Sequence, residues 1–265
     1  KINLATDTVE ATINVGYQAT GIAVNPAGTF AYVTNTRSNS VSKINLATDT
    51  IDATINVGSR PWAIAINPAG TFAYVTNDGS GSVSKINLAT DTIDATINVG
   101  SRPWAIAINP AGTFAYVTNA GSGSVSKINL ATDTVIATIK VGNWPSAIAV
   151  DPAGTFAYVT NQGSVSKINL ATDSVEATIN VDYSNPKGIV VDLAGTFAYV
   201  TDYGSGSVSK INLAAVTGDA KIKLDVIPSA IAINPAGTFA YVTNGASNSV
   251  SKINLATDTV EATIN

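Results

Sequence analysis

The side chains that usually carry chemistry are scarce in this chain. Its 265 residues include no histidine and no cysteine. That removes the Ser-His-Asp arrangement, the thiolate nucleophile, the usual zinc site and histidine-ligated haem or copper together. Carboxylates remain, and a glycosidase needs only two of them, about 5–9.5 Å apart. Most of the acids, however, recur at one place: Asp7, Asp49, Asp91, Asp133, Asp173 and Asp258 each close an ATD[TS] turn, where an Asx side chain capping its own backbone is the ordinary role. The loop DGSGS, residues 78–82, brings one carboxylate, too few for a calcium cage. GSGSVSK lacks the Lys-Ser/Thr ending of a phosphate loop. No catalytic residue, metal ligand or cofactor site is predicted, and a hydrolase built on a carboxylate pair ranks last among the functions considered.

Binding chemistry is better represented. Of the eighteen aromatic side chains, twelve belong to six copies of AGTFAYV. The six left over are Tyr17, Trp62, Trp104, Trp144, Tyr183 and Tyr203, and the cations Arg37, Arg60, Arg102 and Lys187 lie near them in sequence, with Asp78, Asp182 and Asp202. Aromatic platforms interleaved with arginine can stack sugar rings or grip a protein hot spot. The competing role for Trp62 and Trp104, each after Ser-Arg-Pro, is to plug a seam between neighbouring units.

What must position these residues is a repeat. AGTFAYVT starts at Ala27, Ala69, Ala111, Ala153, Ala194 and Ala236, a spacing of 42 residues with one step of 41. KINLA starts at seven places, Lys1 through Lys252, and residues 43–77 and 85–119 are identical. Each period reads as four strands, A to D: AIAINP, TFAYVTN, VSKINL and TIDATINV, parted by NPAG, a Gly/Ser-rich loop and ATDT. In the C–D hairpin, a loop over Ala5–Thr8 would set Leu4 opposite Val9 and Ile2 opposite Ala11. One such sheet cannot bury both faces alone; stacking copies does so, the Phe/Tyr face of one against the Ala/Ile face of the next. The predicted fold is an all-β propeller of 42-residue, four-stranded blades, with the D–A and B–C loops, and hence all six aromatics, on one rim.

At Tyr74-Val75-Thr76-Asn77 and its counterparts the chain resembles the YVTN β-propeller repeats of archaeal and bacterial surface-layer and other extracellular proteins. The resemblance covers essentially the whole chain, though strand C reads K-I-N here where the family often has V-I-D. It implies a non-enzymatic extracellular or cell-surface scaffold or adhesive protein. It also raises a seven-bladed ring as the alternative to six.

The ends bear on that count. KINLATDTVEATIN stands at both Lys1–Asn14 and Lys252–Asn265, so six A–B units face seven C–D hairpins. Residues 1–265 read as one domain of six complete blades plus an extra hairpin, 1–14, or as seven blades with one incomplete. An unpaired hairpin edge invites strand addition, so the ends are expected to join chains into a homo-oligomer or fibre. A glycan or cell-surface protein is the other expected partner. A net charge of −4 gives nucleic acid nothing to be steered by. With only 12% charged residues and no apolar run near the ~20 needed to span a bilayer, an extracellular location without membrane insertion is expected.

Overall fold

The computed structural model describes residues 1–181, 185–224 and 226–265, and every regular element among them is a β-strand. A short hairpin opens the chain, β1 (Ile2–Asn3) and β2 (Thr8–Val9). Blade 1 follows as β3 (Ala19–Val24), β4 (Phe30–Asn35), β5 (Ser40–Asn45) and β6 (Thr50–Asn56). Blade 2 is β7 (Pro61–Ile66), β8 (Phe72–Asn77), β9 (Ser82–Asn87) and β10 (Thr92–Asn98); blade 3 is β11 (Pro103–Ile108), β12 (Phe114–Asn119), β13 (Ser124–Asn129) and β14 (Thr134–Lys140). Blade 4 comprises β15 (Ile148–Val150), β16 (Phe156–Asn161), β17 (Ser164–Asn169) and β18 (Ser174–Asn180). Blade 5 comprises β19 (Pro186–Val191), β20 (Phe197–Asp202), β21 (Ser207–Asn212) and β22 (Thr217–Lys223). Blade 6 comprises β23 (Pro228–Ile233), β24 (Phe239–Asn244), β25 (Ser249–Asn254) and β26 (Thr259–Ile264). Each blade is a four-stranded antiparallel meander in sequence order. The architecture is an all-β, six-bladed β-propeller with an extra two-stranded hairpin, as the repeat predicted.

Two compact units divide the chain: residues 13–140, with blades 1 to 3, and residues 141–265 together with 1–12, with blades 4 to 6 and the hairpin. Within each unit the sheets pack as the alternation requires. Tyr32, Val41 and Ile55 of blade 1 lie against Ile64, Ala73, Val75 and Ile86 of blade 2. Tyr199, Val208 and Ile222 of blade 5 lie likewise against Ala240, Val242 and Ile253 of blade 6. A fully buried Val or Ile contributes about 1.5–3 kcal/mol, and each blade gains these residues only through a neighbour. That dependence makes the repeat obligatory.

Two local devices set the register. At the A–B turn, Asn67 Oδ1 accepts the N–H groups of Thr71 and Phe72 at 2.9 and 3.0 Å, and Gly70 supplies the positive φ of 68° that closes the turn. At the C–D turn, Asn45 Oδ1 accepts from Ala47 and Thr48, while Asp49 takes φ 56°. This Asx cap starts the loop one residue earlier than expected. In the first hairpin Ile2 therefore pairs with Val9 and Asn3 with Thr8, not Leu4 with Val9. In the full blades a bulge then restores the alternation, as between Ile93 and Ala95.

A tyrosine-led interface is also closed by a threonine. Thr34 Oγ1 accepts the Gly21 N–H and donates to Trp62 O of the next blade, both at 2.8 Å. Thr76 repeats this with Ala63 N and Trp104 O, each at 2.9 Å, and Thr201 with Gly188 N and Ser229 O at 2.7 and 2.6 Å. All three threonines are fully buried.

Candidate functional site

In the 13–140 unit, the loop entering blade 2 is held close to its own sheet. A Cβ on Gly58 would lie 2.6 Å from Asn77 Cγ, so that position needs glycine. Two residues on, Arg60 adopts φ 54°, and its N–H is fixed by Asn39 Oδ1 at 2.8 Å. Arg60 O in turn accepts the Asp78 N–H at 2.9 Å. These contacts set Asp78 at the centre of a cluster. Its side chain is only 2% exposed and takes Arg60 Nη2 at 3.3 Å on one oxygen. The other oxygen takes Arg102 Nε at 3.3 Å and the Trp104 indole N–H at 3.2 Å.

Trp62 and Trp104 stack with ring centroids 5.9 Å apart and planes 19° from parallel. The Arg102 guanidinium lies 5.5 Å from the centre of the Trp104 ring, within the range of a cation–π contact. Four of the sequence-predicted residues thus converge, and they do so around a fifth, Asp78. Its signal in the sequence was being the only acid at the position after YVTN or YVTD, where the other copies have Thr36, Ala120, Gln162, Tyr203 and Gly245. Chemically, two guanidiniums around one carboxylate leave a net positive charge, and the arginine side chains are still 56% and 43% exposed.

Beside this cluster runs a groove of about 460 Å³ lined by Gln18, Thr36, Arg37, Asn39, Ser59 and Arg60. Its lining holds two guanidiniums and no carboxylate. Arg37 lies 5.6 Å from the centre of the Tyr17 ring, so the pair predicted at the edge of blade 1 forms as well, with Tyr17 68% exposed.

The other unit holds the remaining predicted residues. Trp144 and Tyr203 are each 47% exposed. Lys187 is half-buried, and burial holds its ammonium pKa below the usual lysine range. Tyr183 and Asp182 lie outside the described residues. Asp202 turns inward and serves its own loop, accepting from Gly204 N at 3.0 Å and Ser205 Oγ at 2.6 Å.

The carboxylates of the C–D turns do something other than cap their turns. Asn3, Asn45 and their equivalents make the Asx cap, and the aspartate reaches back to the preceding blade: Asp91 to Lys43 and Asp133 to Lys85, each at 2.9 Å, and Asp258 to Lys210 at 2.8 Å. The lysines also sit over the strand-B phenylalanines, as Lys85 over Phe72 at 4.2 Å. Asp7 of the opening hairpin takes Lys252 of blade 6 at 2.9 Å. Among the described residues no group of three or more acidic, histidine or cysteine side chains could hold a metal ion. No helix among them is long and apolar enough to cross a membrane.

No protein-family model matches the chain, and no curated protein matches it. Solved structures do. A chain of the Kuenenia stuttgartiensis hydrazine synthase superposes with a TM-score of 0.86 at 23% identity, covering 93% of this chain and 80% of its own length. A functionally unknown protein from Desulfotomaculum acetoxidans gives the same TM-score at 17% identity, covering 99% and 90%. These matches correct two expectations drawn from YVTN. The surface-layer family assignment and the extracellular location both fall: no family model supports the assignment, and the chain matched over nearly this whole length belongs to hydrazine synthase. Tyr-Val-Thr-Asn owes its presence to packing: the tyrosine fills the interface, the threonine ties one blade to the next and the asparagine, at 0% exposure, bonds two serines of strand C, as Asn77 does with Ser82 and Ser84. At these identities the likeness settles one property of the chain, its membership of the β-propeller fold.

Proposed function

We propose that this chain is a non-catalytic β-propeller scaffold that holds a protein partner on the surface formed by Arg60, Trp62, Asp78, Arg102 and Trp104. The observation that carries the reading is the buried Asp78 carboxylate, which orients two half-exposed arginines beside a tryptophan pair. Tryptophan and arginine are the residues most enriched at binding hot spots, and side chains already held in place lose little freedom on association. A sugar-binding role is the weaker reading, because the two indoles stack on one another and Trp104 also carries Arg102. With the neighbouring groove contributing Arg37 and no carboxylate, the partner surface is one that presents Asp or Glu among aromatic residues.

Selection of peptides displayed on phage tests this. Enriched sequences should combine acidic and aromatic residues, and their binding should fall at least tenfold in a Trp104→Ala variant and in an Arg60→Ala, Arg102→Ala variant. Enrichment of neutral peptides whose binding ignores both variants would end the proposal; binding to a glycan array that depends on Trp62 would replace it with the sugar reading.

A further inference from the structure

Blade 6 presents a sheet face that its counterparts do not. Along β25 burial alternates strictly: Ser249, Ser251 and Ile253 are buried, whereas Val250 and Lys252 are half-exposed. The equivalent strand of blade 5 is buried throughout from Ser207 to Ile211. On β24, Tyr241 is half-exposed and Thr243 exposed, where Tyr199 and Thr201 are 2% and 0%. On β23, Ala230 and Ala232 are exposed, where Gly188 and Val190 are half-buried. The register joins these positions into one patch, since Tyr241 pairs with Lys252, Thr243 with Val250, and Ala232 with Tyr241. It is one face of the sheet, and only the inner part of it. Toward the outer strand Ile264 is 5% exposed, against 3% for Ile222 of blade 5.

What covers the outer part is the opening hairpin. Lys252–Asp7 at 2.9 Å reproduces Lys210–Asp258 at 2.8 Å, so β1–β2 sits on blade 6 as β25–β26 sits on blade 5. In every blade the third strand is hydrogen-bonded on both sides; among the described residues β1 pairs with β2 alone. The patch and the bare edge of β1 therefore adjoin, and both match what the first two strands of a blade provide elsewhere. At the other interfaces that place is taken by an alternating Ala/Ile strand whose carbonyl accepts the threonine hydroxyl, Trp62 O from Thr34 and Ser229 O from Thr201. At Thr243 the hydroxyl accepts the Ala230 N–H at 3.0 Å and reaches Ala230 O at 3.5 Å, both within its own blade.

We infer that this face docks a β-hairpin whose first strand alternates alanine with isoleucine or valine and whose second carries alanine and valine on the same side. The hairpin would add to the edge of β1 by main-chain hydrogen bonds, and its small apolar face would cover Ala230, Tyr241, Thr243 and Val250. The same chain supplies the evidence for this occupant, because the equivalent face is covered in this way by Ile64, Ala73 and Val75 in one unit and by Ile231, Ala240 and Val242 in the other. This surface shares no residue with the arginine–tryptophan cluster, and the inference does not depend on that site.

The probe is a fluorescein-labelled synthetic peptide with the sequence of residues 61–77, titrated into the 265-residue chain and followed by anisotropy. Saturable one-to-one binding is expected. A Thr243→Lys variant should lose at least tenfold in affinity with an unchanged melting temperature, since Thr243 is exposed. A peptide with one glycine inserted into its first strand, which turns the alternation over, should bind at least tenfold more weakly. No saturable binding, or equal binding by the inserted peptide or the Thr243→Lys variant, would overturn the inference. Concentration-dependent association of the chain alone, abolished by Thr243→Lys, would also overturn it by making a second copy the occupant.

Discussion

Replacing the strand-B threonine by valine should cost very different amounts in blades 5 and 6. Valine has the same shape and lacks the hydroxyl. At Thr201 that hydroxyl is fully buried, receives Gly188 N–H and donates to Ser229 O across the interface. Its loss leaves one donor and one acceptor unpaired, at about 1–3 kcal/mol for each buried group. With each group near the lower end of that range and the added methyl returning about 0.8 kcal/mol, a net loss of about 2 kcal/mol is expected. At Thr243 the hydroxyl is exposed and contacts only Ala230 of its own blade; water can replace it, and the cost should stay within about 0.5 kcal/mol. In a chain of this size 1 kcal/mol moves the melting temperature by roughly 2–4 °C. Thr201→Val should therefore melt about 4–8 °C lower and Thr243→Val within about 2 °C of the parent, by calorimetry at pH 7. Equal losses at the two positions would refute the assignment of an interblade role to this threonine.

Other perturbations follow from single contacts. Gly58→Ala should destabilise by about 1–3 kcal/mol, because its Cβ would sit 2.6 Å from Asn77 Cγ and 2.7 Å from Ser80 Oγ, whereas Gly218→Ala, with nothing within 4 Å, should be neutral or better in the same urea titration. Asp78→Asn keeps the size of the side chain and removes the charge that gathers Arg60 and Arg102; a loss of about 1 kcal/mol is expected after allowing for the exposure of both arginines, with a shift in tryptophan emission from the indole pair, and an unchanged spectrum would deny the cluster. Alkaline stability should fall between about pH 10 and 12. Burial pushes Tyr74 up to about 12. Burial alone would lower the Lys85 pKa, but its hydrogen bonds to Asp133 and Asp94 outweigh that and hold it above the usual lysine value. Both groups keep their protons longer in the folded chain than in the unfolded one, which releases them near pH 10, so stability is full below that pH and declines above it; a urea midpoint constant to pH 12 would contradict this.

Much of the fold was legible because the interfaces repeat with the sequence. The alternation of Phe72, Tyr74 and Thr76 with Ala73 and Val75, taken with the 42-residue period, left stacked four-stranded sheets as the arrangement that buries both faces. The hairpin register was less legible. Asn45 and Asp49 are both turn formers, and local sequence does not say that asparagine makes the cap and frees the aspartate for a lysine 48 residues away in the chain, as Asp91 is for Lys43. The arginine–tryptophan cluster was half visible: subtracting the repeat isolated Arg60, Trp62, Arg102 and Trp104. That Asp78 binds them together depends on two loops meeting in space. The signal that misled was Tyr-Val-Thr-Asn, which encodes a packing solution open to propellers of any location.

The open inner face of blade 6 is the feature on which the binding inference rests, and thiol labelling tests it most directly because the chain has no cysteine of its own. Thr243→Cys should react with a maleimide at close to the rate of a free thiol, and Thr201→Cys at least a hundredfold more slowly. Addition of the 61–77 peptide should protect Thr243→Cys and leave Thr201→Cys unchanged. Equal, slow labelling at both positions in the absence of peptide would show that blade 6 is covered like its neighbours and would contradict the account.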